Sequence, residues 1–152
     1  VLGDFDVKFK VDNFTKENMQ TIELNWDVTS GAMRSAIELV AAFGYSQDNL
    51  LATNAIIPIA YFIHKNECVN HILHSDNHKE NRRNIKEWLA RVLLKGTFGG
   101  TPDGIYPKLR DLINANIGRF PLDEIIENYR GKTKSIVFNE DDIDTLMGLQ
   151  YG

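Results

Sequence analysis

The 152 residues are 43% hydrophobic and 25% charged, a composition that excludes fibrous and low-complexity chains and suits one globular domain with its own core. The formal net charge of −4 excludes a general attraction to nucleic acid and leaves only a local basic face for such a contact. The single Cys68 rules out an internal disulfide and fits a reducing cytoplasm, and the longest apolar stretch, residues 50–63, is shorter than the ~20 residues a membrane helix needs.

At the amino end Phe5, Val7, Phe9 and Val11 alternate with Asp6, Lys8, Lys10 and Asp12, the period-two pattern of a strand with one buried face. Residues 1–14 are therefore expected to be an extended or strand-like lead-in. Its one available partner is Ser135-Ile136-Val137-Phe138, which allows a short β-pair at the edge of the fold. Every other signal is helical. Thr15 is placed to cap a first helix carrying Met19, Ile22 and Trp26. Thr29 or Ser30 caps the next, with Met33, Ala36, Ile37, Val40 and Ala41 on one face and Gly44 as its left-handed stop. In residues 50–63, Pro58 removes a backbone donor, so a helix there either kinks or starts close to the proline.

From Asn77 onward Ile85, Trp88, Leu89, Val92 and Leu93 repeat at helical spacing until Gly96. Residues 99–104 are turn-forming, and Pro107 suits the first turn of a helix bearing Leu109, Leu112 and Ile113. Leu122, Ile125, Ile126 and Tyr129 give another helix stopped by Gly131. Asn139, with Asp142 three residues on, caps a last one bearing Ile143, Leu146 and Met147. The expectation is a single all-α domain over residues 1–152, a bundle of about six helices.

Four groupings could carry chemistry. Cys68, His71, His74 and His78 have the ligand types and short spacing that zinc uses, but no acidic residue sits where a hydrolytic zinc helix places its general base; solvated histidines at a helix end are the alternative, and no metal or cofactor is assigned. Arg82, Arg83 and Lys86, followed by Arg91 and Lys95, form the densest basic run and could grip a phosphate backbone; the competing reading is the wet face of an amphipathic helix, diluted by Glu80 and Glu87. The glycines between Gly96 and Gly104 lack the lysine and hydroxyl of a P-loop. Asp141, Asp142 and Asp144 sit where acids offset a helix macrodipole. No nucleophile motif surrounds Cys68, so no catalytic residue is assigned.

The run Leu50-Leu51-Ala52-Thr53-Asn54-Ala55-Ile56-Ile57-Pro58-Ile59-Ala60-Tyr61-Phe62 resembles a segment in the helical region of large bacterial proteins of the GmrSD restriction family. The later segments come in a similar order too: Ile85-Lys86-Glu87-Trp88 through Leu94, a Gly-rich turn, then Phe138-Asn139-Glu140-Asp141-Asp142-Ile143 and on to Tyr151-Gly152. In that family an amino-terminal ParB-like domain carries an Asp-Gly-Gln-Gln-Arg motif and a carboxy-terminal domain carries an HNH nuclease motif. Neither motif occurs in this chain. The resemblance implies a helical middle region cut from a longer restriction-type defence protein, a nucleotide-dependent DNA endonuclease, with the flanking ParB-like and HNH domains as partners in the same chain. On that expectation the domain is a cytoplasmic, non-catalytic scaffold that assists DNA contact or forms a homo-oligomer, with Arg82, Arg83 and Lys86 as its nucleic-acid contacts. A stand-alone protein-interaction module is the first alternative, and a small metal-dependent enzyme built on His71, His74 and His78 the second.

Overall fold

In the computed structural model, which describes residues 11–99 and 104–142, local chemistry marks several of the helix ends. Helix α1 (Lys16–Leu24) starts behind Thr15, whose hydroxyl accepts from the Asn18 amide at 3.1 Å. Helix α2 (Trp26–Ala42) follows after the single residue Asn25 and is stopped by Gly44 at φ +95°, a conformation that only glycine adopts without strain. A 3₁₀ turn over Thr53–Ala55 leads into α3 (Ile56–Lys65). Pro58 stands third in α3, where its missing N–H would have no intrahelical partner, so the helix starts near the proline and needs no kink. Another 3₁₀ turn, Asp76–His78, precedes α4 (Lys79–Leu94), which ends before Gly96 at φ +60°. Helix α5 (Tyr106–Ala115) holds Pro107 in its first turn, and α6 (Leu122–Tyr129) closes before Gly131 at φ +71°. A further helical turn begins at Glu140. Asn139 and Asp142 cap it reciprocally: the Asp142 amide donates to Asn139 Oδ1 at 2.9 Å and the Asn139 amide donates to Asp142 Oδ2 at 3.0 Å.

The fold is all-α. Helix α2 packs along α3, α3 against α5, and α4 and α5 both against α6. The α2 face that meets the core is made of Ala32, Ser35, Ala36, Leu39 and Val40, and it packs along α3, which is buried from Pro58 to Ile63. The core is threaded by an aromatic series, edge-to-face in its first three contacts and tilted in the last. Phe62 lies 5.4 Å from Phe120, Phe120 5.7 Å from Trp88, and Trp88 5.9 Å from Phe98, which in turn lies 6.0 Å from Tyr106. This series joins α3, α4 and α5 to the two loops that carry Phe120 and Phe98. No helix among the described residues is long and apolar enough to cross a membrane.

Several sequence expectations are corrected in detail. Trp26 does not end the first helix; it begins the second, and Thr29 and Ser30 lie inside the first turns of α2 instead of capping it. Residues 1–10 of the strand-like lead-in lie outside the described residues, and Val11–Asn13 is a 3₁₀ turn. Residues 135–138 form no strand. They run along α4, where Arg91 donates to the Ile136 carbonyl at 3.3 Å and its guanidinium sits 5.8 Å from the Phe138 ring centroid. Ile143, Leu146 and Met147 of the expected last helix lie outside the described residues.

Candidate functional site

The basic run on α4 is held within the fold residue by residue. Arg82 reaches back over the preceding loop and donates from one guanidinium nitrogen to the carbonyls of Ile72, at 2.9 Å, and Ser75, at 2.7 Å. It thereby ties the 66–78 loop to the start of α4. Arg83 forms an ion pair with Glu80 at 3.5 Å, both side chains being more than two-thirds exposed; such a pair contributes little, about 0–1 kcal/mol. The Lys86 ammonium lies 5.9 Å from the Phe43 ring centroid. Arg91 pairs with Glu87 at 2.8 Å, and Lys95 with Asp142 at 2.7 Å. Arg83 and Lys86 are exposed, whereas Arg82 is half-buried.

The histidines are not brought together. His71 and His74 lie in the turns after α3, and His78 closes the 3₁₀ turn with its Nδ1 3.2 Å from Asn81 Nδ2. Among the described residues, no three His, Cys, Asp or Glu side chains are gathered to hold a metal ion. Cys68 is 2% exposed, and burial pushes its thiol up from 9.0 to about 11. With so little thiolate near neutrality it is a packing residue. Native protein at pH 8 is therefore expected to resist alkylation by iodoacetamide while protein unfolded in guanidinium reacts at an ordinary thiol rate; equal rates in the two states would contradict the burial.

Asp142 is held below the usual carboxylate range, chiefly by its hydrogen bond from Lys95 and also by the Asn139 amide. That arrangement fixes the residue as a charged cap, joining the 139–142 turn to the end of α4. Glu124 is likewise lowered, first by its hydrogen bond from Arg119. Asp144 and residues 100–103 of the Gly-rich turn lie outside the described residues.

The feature that sequence reasoning missed is apolar. Between residues 11 and 28 the side chains are exposed apart from half-buried Asn13 and Asn18, although Phe14, Met19, Ile22, Leu24, Trp26 and Val28 lie in that stretch. Helix α1 has no buried residue at all, and a free nine-residue helix is marginal in water. On α2 an open groove of about 630 Å³ is formed by Trp26, Thr29, Ser30, Met33, Arg34, Ile37 and Glu38. Trp26 is 61% exposed and Ile37 51%. Isolated exposed apolar residues need no explanation, whereas a contiguous patch of them marks an interaction surface. Helical spacing placed Met33, Ala36, Ile37, Val40 and Ala41 on one inward face. The structure divides that set, burying Ala36 and Val40 and exposing Ile37 and Ala41. Two apolar arcs on one helix were the available signal.

Compared with known proteins, the chain matches no family profile, and no curated sequence matches it significantly.

Proposed function

We propose that this chain is a non-catalytic helical scaffold whose working surface is the outer face of α1 and α2. The observation that carries the reading is a division of labour across the molecule. Several side chains with chemical potential are committed to internal contacts, namely Arg82 on the Ile72 and Ser75 carbonyls, Lys95 on Asp142, and buried Cys68, while exposed Arg83, Lys86, His71 and His74 are not gathered into a site. The large apolar side chains Met19, Ile22, Leu24, Trp26, Val28 and Ile37 are exposed. A helical body with an open apolar face holds other protein parts in place.

The sequence likeness from Leu50 onward adds a setting: a cytoplasmic, restriction-type defence protein in which the domain spaces a ParB-like nuclease domain from an HNH domain. The gene itself tests that setting. An Asp-Gly-Gln-Gln-Arg motif encoded upstream or an HNH motif downstream supports it, and two short unrelated flanks defeat it. DNA contact within this scheme falls to Arg83 and Lys86, since Arg82 is engaged by the loop. In low salt, duplex binding by the chain should fall when Arg83 and Lys86 are both changed to Ala, and negligible binding by both proteins removes the DNA role. A stand-alone protein-interaction module is the second reading, and the groove on α2 favours it equally.

A further inference from the structure

We infer that the groove on α2 is a self-association surface, on which a second copy of this chain docks with its own α2 running antiparallel. The inference rests on the scaffold reading and names the partner of the same face.

The spacing of the stripe is self-complementary. A two-fold axis perpendicular to α2, placed between residues 31 and 32, sets position 26 opposite 37 and position 30 opposite 33 of the other copy. Trp26 then meets Ile37, and Ser30 meets Met33, so each large side chain has an apolar or small residue facing it. Ser30 lies near the crossing point, where a small side chain lets two helices approach. A two-fold contact is isologous, so each of these pairings occurs twice.

The charges agree with the same axis. Asp27 and Arg34 lie on one edge of the stripe, and a two-fold of this kind brings like edges together. Asp27 falls opposite position 36 of the second copy, two residues or about 3 Å along the axis from Arg34, within reach of a guanidinium on a long stem. Both side chains are exposed, and neither has an ion-pair partner among the described residues. Two Asp27–Arg34 pairs between copies give both charges an opposite neighbour. A parallel two-fold would put the Asp27–Arg34 edges of the two copies on opposite sides of the seam, where neither charge would meet its opposite. One face of a single helix is a small contact beside the ~800 Å² per partner of a standard interface, so the dimer is weak and its population rises with concentration.

Sedimentation equilibrium of the whole chain from about 5 µM to 1 mM is the test. The expected result is a monomer–dimer equilibrium that Trp26→Glu abolishes. Asp27→Arg alone and Arg34→Asp alone should each weaken it by about tenfold or more, two attractive contacts becoming two repulsive ones. An equimolar mixture of these two single variants should recover the lost affinity, because the mixed dimer alone restores both opposite-charge pairs. Circular dichroism of each variant should match the parent, since all three positions are exposed. A chain that stays monomeric to 1 mM overturns the inference, as does a dimer indifferent to Trp26→Glu or a mixture no tighter than its components. If the monomer instead binds a flanking domain of its parent through this face, self-association fails while the scaffold reading stands.

Discussion

Replacing Phe120 with Ala should lower the stability of the fold by about 3–5 kcal/mol, the usual range for deleting a buried phenylalanine ring. Phe120 is fully buried and belongs to a loop, not a helix. Its ring stands edge-to-face with Phe62 of α3, at 77° between planes, and with Trp88 of α4, at 61°. It is therefore the side chain through which the 116–121 loop joins two helices, and no neighbouring side chain can fill its place without leaving the aromatic series broken. Against a typical total of about 5–15 kcal/mol the loss is a large fraction, equivalent to a fall of roughly 10 °C in Tm for a chain of this size. Thermal and urea unfolding of Phe120→Ala and Phe120→Leu would check it. The leucine variant, which refills part of the volume, should fall between the parent and alanine; an alanine variant within about 1 kcal/mol of the parent would mean that Phe120 does not join these elements.

Phe120 illustrates what the sequence reveals and what it withholds. A phenylalanine between Arg119 and Pro121 has no periodic neighbours, so its place at the centre of the core is set by a chain reversal that only the fold displays. Helix α4 is the opposite case. One apolar face, a polar face and Gly96 all point the same way, and Ile85, Trp88, Leu89 and Val92 are indeed its buried residues. The Asn139–Asp142 cap was equally readable, because capping is local. The join between α1 and α2 was not. Asn25 breaks the ladder at φ −99° and ψ 9° with its side chain donating to the Thr21 carbonyl at 2.8 Å, a turn made without glycine or proline.

The candidate site was misread in two places. Helical spacing puts Ile37 on the core face beside Ala36 and gives Trp26 to the first helix, but Ala32 and Ala36 stand at 0% exposure while Ile37 and Trp26 stand at 51% and 61%. Arg82 looks solvated on a helical wheel because the wheel contains no loop. Its long stem carries the guanidinium to carbonyls seven and ten residues earlier in the chain, contacts that periodicity cannot encode.

Asn81 is the strongest polar counterpart of Phe120. It is only 4% exposed, and its amide is divided between two tasks: Oδ1 accepts from the Phe120 amide at 2.9 Å, and Nδ2 donates to the Gly118 carbonyl at 3.1 Å. A side chain on the first turn of α4 thus completes the hydrogen bonding of a loop 37 and 39 residues further on. Changing Asn81 to Ala leaves the buried Phe120 N–H without an acceptor, while the carbonyl of exposed Gly118 can turn to water. Stranding one buried donor costs about 1–3 kcal/mol, and the lost packing of the amide brings the expected destabilisation to roughly 2–3 kcal/mol. Hydrogen exchange separates this from a general loosening of the core: the Phe120 amide should lose protection by more than the global stability change accounts for, whereas the amides of α2 should track the global change. Uniform loss across both regions would show that Asn81 acts only as a space-filling residue, and that the aromatic ring of Phe120 holds the loop against α4 without help from its backbone.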